Sequence, residues 1–377
     1  MGDELHIKIV GTEEEFDALE IPWNRLSEKT SASIFSSFDY VRTAWRHFHD
    51  QSDKLFVLTF SDGSSIVGIA PFYIVRCHRR GIPYRALRFI AVWEGDRPGI
   101  LTDINAETCW NHIITFLVKE FRAWEVLELD EQPAEGPQGQ GWSFLSRAEL
   151  YWEKGPDIVD YYISLTGSWE EYLKGLGSKT RANWRRQMRR LSSITEGYVV
   201  EHISDPEQMR EAFSRFVVLE QLGWKAEAGI GASKDDRHRA FYEDLLVILA
   251  EKGQVKVHFL KSEGEDIAGS IIFVQRGVLY GRHTSFAPSH AKYSPGLLLH
   301  AEIFREHFGG AHKEFDLLGI REEGRYKTHW ATGQRETVHW TAYRLRSRVW
   351  PLILAKQFKR LLFKISKKKV ERHEPVV

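Results

Sequence analysis

Hydrophobic and polar positions repeat one order of elements twice along the chain. In the first copy, the apolar alternation predicts three strands, a helix and a closing strand, over 55–60, 66–75, 85–92, 106–121 and 125–129. The second copy predicts the same order over 255–260, 267–275, 278–286, 296–308 and 314–318. When the order of strands and helices repeats, it indicates two structurally related units, even if the two sequences share few identical residues.

The turns and crossovers of both copies are alike. Asp62-Gly63 in the first copy and the turn from Gly264 to Asp266 in the second separate strand patterns, which is typical of hairpins. Each strand–helix–strand series that closes a copy predicts a parallel strand pair. The fold class is therefore α/β (α+β), with two tandem units that each have a mixed, mostly antiparallel sheet flanked by helices.

Apolar spacing also predicts helices outside the repeat, over 13–19, 40–48, 169–176, 180–191, 207–222 and 237–251. The Pro- and Gly-rich segment 132–141 is the best candidate for a loop or linker. We place the boundary near residue 155. The predicted domains are then an N-terminal unit over 1–155, a C-terminal unit over 156–345 and a tail over 346–377.

Composition narrows the class of protein. Only Cys77 and Cys109 are present, which is too few for a disulfide framework or a thiolate zinc site, so we expect a reducing compartment and no metal. The N-terminus lacks the pattern of a secretory signal, and no apolar run reaches the roughly 20 residues that span a bilayer. These features predict a cytoplasmic protein.

Charge is distributed unevenly. The chain has 52 Lys and Arg against 52 Asp and Glu, yet 344–372 holds eleven basic residues against Glu371 alone, so the rest is acidic. Apolar positions from Trp350 to Ile365 have helical spacing within this basic stretch. Such an amphipathic helix can lie on an anionic membrane or pack on the protein itself, and we expect peripheral membrane contact through 346–372.

Several motifs in the second half resemble a known family. They are the basic helix over 179–191, Gly223-Trp224-Lys225, Tyr293-Ser294-Pro295-Gly296, Tyr326-Lys327 and Trp330. Together they resemble the CelD-like, cellulose-biosynthesis-associated acetyltransferases of the GNAT superfamily, which are related to the FemAB-like transferases. The resemblance runs from about residue 20 to 345. It implies a GNAT fold and acyl transfer from acetyl-CoA or another acyl-CoA to an amine or a sugar.

The segment 287–299 is the strongest candidate for an anion site. Ser294 can cap a helix, Pro295 suits its first turn, and Gly296 permits close approach of a ligand to the backbone. Free amides at a helix start favour a pyrophosphate, although a plain Ser-Pro cap explains the same residues. The predicted donor-binding residues are Lys292, Tyr293, Ser294, Pro295, Gly296 and Leu297.

Only the second copy is expected to hold coenzyme A. The corresponding loop and helix start of the first copy carry acidic residues that would repel a diphosphate, namely Glu94, Asp96, Asp103 and Glu107. In the implied fold, the strands over 278–286 and 314–318 diverge and leave backbone amides that polarise the thioester carbonyl.

Direct acyl transfer requires an acid and a base. The candidates are His283, Asp316, Tyr326 and Glu220, each of which also has a structural explanation as a hydrogen-bonded or paired residue. The candidates for binding the acceptor are Arg181, Arg185, Trp224, Lys225, Lys327 and Trp330.

Three functions remain open at this point. The first is an acyl-CoA-dependent N- or O-acyltransferase that acts on an envelope- or exopolysaccharide-related acceptor, a small molecule or glycan. The second is a FemAB-like transferase that takes its group from aminoacyl-tRNA, as the arginine-rich helix would allow; the acidic main body argues against a nucleic-acid partner. The third is a non-catalytic GNAT scaffold that is recruited to a polysaccharide synthase.

Overall fold

A computed structural model of the protein describes residues 5–63, 65–92, 96–134, 150–194, 198–319, 328–345 and 347–354. Tyr326 and Lys327, most of the basic tail and most of the predicted linker lie outside these residues. No helix in the described ranges is long and apolar enough to cross a membrane.

The helices are α1 (Glu13–Asp17), α2 (Glu20–Lys29), α3 (Phe38–Phe48), α4 (Ala106–Lys119), α5 (Trp169–Gly175), α6 (Ser178–Ile194), α7 (Met209–Leu222), α8 (Trp224–Glu227), α9 (Asp236–Glu251) and α10 (Pro295–His307). The strands are β1 (His6–Val10), β2 (Lys54–Ser61), β3 (Ile66–Arg79), β4 (Ile82–Phe89), β5 (Leu101–Thr102), β6 (Val126–Pro133), β7 (Leu150–Ser164), β8 (Tyr198–Ile203), β9 (Val255–Ser262), β10 (Glu265–Gln275), β11 (Val278–Phe286), β12 (Glu314–Gly319) and β13 (Gly333–Arg344).

The predicted repeat is confirmed. The first copy corresponds to β2, β3, β4, α4 and β6, and the second corresponds to β9, β10, β11, α10 and β12. The closing strands form the two expected parallel pairs, β4 with β6 and β11 with β12. The fold class is confirmed as mixed α/β, with a mostly antiparallel sheet flanked by helices.

The two copies share one sheet. In the described residues it has 13 strands in the order β1-β2-β3-β4-β6-β13-β7-β12-β11-β10-β9-β8, with β5 beside β3. The strand that follows the first copy, β7, pairs with β12 of the second, whereas β13 returns to pair with both β6 and β7. The predicted domain boundary, residue 155, lies inside the continuous strand β7. The division of the chain into domains therefore stays a prediction.

The helices that precede the two copies, α3 and α9, pack together on one face of the sheet. Tyr40 of α3 contacts Phe241 of α9 edge to face, with ring centroids 5.6 Å apart. Phe35, just before α3, contacts Phe273 of β10 and Tyr280 of β11 in the same buried cluster. The opposite face is covered separately, by α4 over the first copy and by α5, α6 and α10 over the second. This packing fixes α10 against β9, β10 and β11.

Candidate active site

The parallel strands β11 and β12 separate after a short paired stretch. Their register runs from Val278 with Glu314 to Tyr280 with Asp316, and β11 then continues alone on this side to Phe286. A bulge in the pairing of β10 with β11 places Arg282 as the extra residue, because Ile272 pairs with Gly281 and Ile271 pairs with His283. The predicted divergence of these two strands is therefore present.

A cavity of about 660 Å³ opens where the strands diverge. Its wall comes from β11, β12, the start of α10, α8 and α6, and includes Gly281, Arg282, Thr284, Phe286, Phe315, Leu317, Ser294, Gly296, Leu297, His300, Trp224, Lys225 and Asn183. The predicted residues Ser294, Gly296, Leu297, Trp224 and Lys225 thus come together around one cavity.

The start of α10 differs from the prediction in its hydrogen bonds. Ser294 occupies the N-cap position in the left-handed conformation, with φ 53°, and its side chain makes no capping hydrogen bond. The amides of Leu297 and Leu298 donate to the Ser294 carbonyl, and the Ser294 amide donates to Ala291. Fewer free amides are therefore present at this helix start than the sequence predicts, because these three amides already donate to nearby carbonyls.

Gly296 lies in the cavity wall at the first turn of α10. A Cβ atom at this position would lie 3.5 Å from the Thr284 methyl group and 3.6 Å from the Phe286 ring. Pro295 occupies the first turn as expected. Tyr293 is buried in the core, and the Lys292 Nζ lies 4.9 Å from its ring centroid. Tyr293 and Lys292 therefore contact each other beside the cavity.

Two polar side chains of the cavity wall, His300 and Lys225, hydrogen-bond to Thr284 of β11. The Nε2 atom of His300 lies 2.7 Å from the Thr284 hydroxyl and 3.4 Å from the Ser270 hydroxyl. Lys225 Nζ donates to the Thr284 carbonyl at 2.7 Å. Burial lowers the pKa of Lys225, and the charge of Glu220 opposes that shift.

His300 was not identified from the sequence, although a signal for it was present. It follows the predicted ligand-facing residue Gly296 by four positions in a helix, and residues with that spacing share one helix face. A histidine one helical turn after the glycine predicted to face the ligand was therefore a readable indication.

Three predicted acid–base residues have internal partners. His283 Nε2 lies 2.7 Å from the Tyr242 hydroxyl, on the face of the sheet that α9 covers. Asp316 is fully buried, forms ion pairs with Arg97 and Arg335, and accepts the Leu318 amide. Their catalytic roles stay predictions.

Glu220 holds the loop after α8. It accepts the amides of Ala232 and Ser233 at 3.0 and 2.8 Å and the Ser233 hydroxyl at 2.8 Å. These three hydrogen bonds are a structural reason for a buried carboxylate at this position. A role of Glu220 as an acid or a base therefore stays a prediction. Tyr326 lies outside the described residues.

The predicted acceptor residues are dispersed. Arg181 donates to the carbonyls of Leu173 and Lys174 and so caps the end of α5, while Arg185 is exposed on α6. Trp224 is 44% exposed in the cavity wall. Trp330 is buried, accepts a hydrogen bond from the Tyr172 hydroxyl and lines an adjoining cavity of about 560 Å³.

A larger cavity of about 720 Å³ lies across β12. Phe315 and Leu317 line the first cavity, whereas the alternate residues Glu314 and Asp316 line this one. Its wall also carries ionic and hydroxyl groups from the segment 29–33, from the first copy and from β13, including Lys29, Ser31, Ser33, Arg97, Thr102 and Arg335. The two cavities therefore lie on opposite faces of the sheet where β11 and β12 begin to separate.

Sequence comparison assigns a class to this part of the molecule. Residues 178–328 match the family model described as an acetyltransferase (GNAT) domain. The match begins with α6 and contains β11, α10 and β12, which form most of the 660 Å³ cavity. No curated protein matches the chain.

Solved structures agree on the fold. A crystal structure of FemX has a TM-score of 0.61 and 11% identity, covering 92% of this chain and 99% of that one. L-PGS from Bacillus licheniformis has a TM-score of 0.53 and 14% identity, with 92% and 96% covered. The C-terminal domain of a putative lysylphosphatidylglycerol synthetase from Agrobacterium fabrum has a TM-score of 0.52 and 12% identity, with 86% and 92% covered. The chain therefore shares its overall fold with these structures, and the family match gives residues 178–328 as a GNAT-type acetyltransferase domain.

Proposed function

We propose that this protein is an acyl-CoA-dependent N- or O-acyltransferase whose donor occupies the 660 Å³ cavity. The observation that carries the proposal is the divergence of β11 and β12 beside the start of α10, within the stretch that matches the GNAT acetyltransferase domain. An extended acyl thioester fits such a gap because apolar residues, Phe286, Phe315 and Leu317, form much of its wall.

The bulge at Arg282 supports a role in polarising the thioester carbonyl. An extra residue in a strand leaves its backbone amide outside the regular ladder, and a preorganised amide donor stabilises a developing oxyanion. Each such donor is worth about 2.7–4 kcal/mol in other acyl-transfer enzymes. We place the thioester carbonyl at this bulge.

Proton transfer is assigned first to an imidazole that lines the donor cavity. His300, through its contact with the Thr284 hydroxyl, provides an imidazole beside the diverging strands. Lys225, whose Nζ donates to the Thr284 carbonyl of β11, provides a cation in the cavity wall. This charge suits an anionic part of the donor. His283 and Tyr242 offer a second hydrogen-bonded pair on the other face of the sheet.

The acceptor is proposed to enter from the 720 Å³ cavity. Both signs of charge and several hydroxyl groups line it, which suits a hydroxylated or zwitterionic molecule better than an apolar one. This lining is compatible with a glycan or small-molecule acceptor related to the envelope or an exopolysaccharide, as the CelD-like resemblance implies. A cytoplasmic location, with peripheral membrane contact through 346–372, belongs to the same proposal.

Calorimetric titration with acetyl-CoA and longer acyl-CoA esters tests the donor. We expect binding by the wild-type chain and about tenfold weaker binding by Lys225→Met, because a hydrogen bond to a charged group contributes more than one between neutral groups. Lys119→Met changes an exposed lysine on α4 and serves as the matched control. If none of the acyl-CoA esters binds, the proposed donor is wrong.

The alternative donor is an aminoacyl-tRNA, which the surface of α6 favours. Arg185, Arg186, Arg189 and Arg190 are all exposed on this helix, whereas Trp184 and Met188 pack against the core. If tRNA is the donor, replacing these arginines with glutamine should weaken the dependence of tRNA affinity on salt. The magnitude of the slope of log affinity against log salt concentration should fall by about one for each phosphate contact that is lost. The measurement is filter binding of bulk aminoacyl-tRNA over a range of salt concentrations.

The scaffold alternative predicts a different result from both. A non-catalytic protein transfers no acyl group to any acceptor, even when a donor binds in the cavity. A panel of amines and sugars, followed by mass spectrometry for the acylated product, separates these outcomes.

A further inference from the structure

A cluster of histidines lies at the end of α10 that is remote from the donor cavity. His258 of β9 meets Glu306 and His307, which are the last residues of α10. Their ligand atoms, two imidazole nitrogens and a carboxylate oxygen, all lie within 4.8 Å of one another. The cysteine content alone predicted no metal, and no local spacing relates His258 to Glu306, which lies 48 positions further along the chain.

Three ring nitrogens of this cluster are buried and have no hydrogen-bond partner in the described part of the chain. His258 is fully buried, and neither of its ring nitrogens has a partner among the described residues; the Nε2 atom of the buried His307 has none either. Buried polar atoms are nearly always satisfied, so three such atoms in one place require an explanation. A ligand that accepts nitrogen lone pairs would satisfy them.

The protonation state of the two rings favours such a ligand. Burial is the main cause that lowers the pKa of His258 to about 3 and that of His307 to about 4, and the charge of Lys256 contributes to both shifts. Both rings are therefore neutral at pH 7, which is the form in which histidine coordinates a metal.

We propose that His258, His307 and Glu306 bind a divalent transition metal ion of the zinc class. Two imidazoles and one carboxylate are a recurrent ligand set for zinc, and they leave a position for a fourth ligand. His312, whose ring centroid lies 4.6 Å from that of His307, adds a further imidazole beside the cluster. Ligands of a tetrahedral ion at about 2.1 Å are about 3.4 Å apart, so binding draws the exposed Glu306 carboxylate inwards.

Lys256 is the neighbouring group that opposes the ion. It lies two residues before His258 on the same face of β9, and its charge lowers the pKa values of His258, His307 and His312. The Glu306 carboxylate supplies the compensating negative charge. The proposal therefore predicts that Lys256→Met binds the ion at least as tightly as the wild type.

An ion at this position would join the second strand from the sheet edge to the end of α10. The ion would fix the position of this helix relative to the sheet, and the other end of the helix forms part of the donor cavity. The site is nevertheless testable without any acyl-transfer assay.

The test is calorimetry of the full chain with zinc chloride after dialysis against a chelator, together with the visible spectrum of the cobalt(II)-loaded protein. We expect one tight equivalent, a cobalt spectrum typical of tetrahedral coordination and a rise in melting temperature. Glu306→Gln and His307→Gln should each weaken binding by more than about tenfold, which is the smallest effect of losing even an outer-shell partner. His78→Ala, which changes an exposed histidine on β3, is the control.

Two results would overturn the proposal. One is zinc binding by the wild type that is no tighter than by the Glu306→Gln and His307→Gln variants. The other is an equal loss of binding in His78→Ala, which would indicate scattered surface histidines. Glu306 is exposed, so its variant is expected to fold even if substitution of the buried histidines prevents folding.

Discussion

Replacing Asp96 with asparagine is expected to lower the free energy of unfolding by about 3–5 kcal/mol, since it leaves one charge of a buried pair without its partner. Asp96 Oδ1 lies 2.8 Å from Arg282 Nη1, and the two side chains are 0% and 3% exposed. Asp96 also accepts the Tyr40 hydroxyl and the Val92 amide. Urea unfolding followed by fluorescence measures the loss.

This pair joins the two copies of the repeat at the proposed catalytic bulge. Asp96 comes from the first copy, and Arg282 is the bulged residue of β11 in the second. Burial alone would lower the pKa of Arg282, but the charge of Asp96 raises it above its ordinary value. We therefore expect Asp96→Asn to reduce acyl transfer as well as stability, because the bulge loses its anchor.

Two further variants make this prediction specific. Combining Asp96→Asn with Arg282→Met removes both charges and should recover part of the lost stability, as buried pairs replaced by apolar residues often do. Glu243→Gln breaks the exposed pair with Arg239 on α9 and should cost no more than about 1 kcal/mol. Equal losses for Asp96→Asn and Glu243→Gln would show that burial of the Asp96–Arg282 pair has no special energetic role.

Replacing Gly296 with valine is expected to lower kcat/KM for acyl transfer by about 100-fold or more while the protein stays folded. The new Cβ atom would make only ordinary contacts, at 3.5 Å to Thr284 and 3.6 Å to Phe286, so the helix can accommodate it. Its methyl groups would occupy the cavity where the donor approaches the backbone, and displacement of a bound substrate by about 1 Å can cost about 100-fold in rate.

Gly175→Val is the matched control for this substitution. Gly175 is the last residue of α5, and a Cβ atom there would meet no atom within 4 Å. We expect both variants to unfold at temperatures close to that of the wild type and only Gly296→Val to lose activity and donor binding. Full activity of Gly296→Val would mean that the donor does not lie against α10.

The candidate site was predicted in part. Ser294, Gly296, Leu297, Trp224 and Lys225 do line one cavity, because a helix start after a divergent strand is a local pattern that glycine and proline make readable. The row of free amides that the sequence predicted is only partly present, since the amides of Leu297 and Leu298 donate to the Ser294 carbonyl in the first turn of α10. The contacts of His300 with Thr284 and Ser270 were not predictable, because they join a helix to two strands that lie apart from it in the sequence.

Partners of charged residues could not be predicted from the sequence. Asp316 was recognised as a carboxylate that must be paired or functional, and its partners Arg97 and Arg335 lie 219 and 19 positions away. Arg97 also has a left-handed backbone, with φ 46°, which no local pattern indicated. Pair formation over such separations depends on topology and not on neighbours in the chain.

The sequence by itself determined the twofold order of strands and helices, the two parallel pairs and the position of α10, because hydrophobic periodicity and turn residues act locally. Only the tertiary structure decided that β7 and β13 cross between the copies to make one sheet, because strand pairing is a contact between distant segments. The same long-range packing brings Asp96 to Arg282 and His258 to His307. Burial then determines the charge states of these groups, and burial cannot be predicted from the order of residues alone.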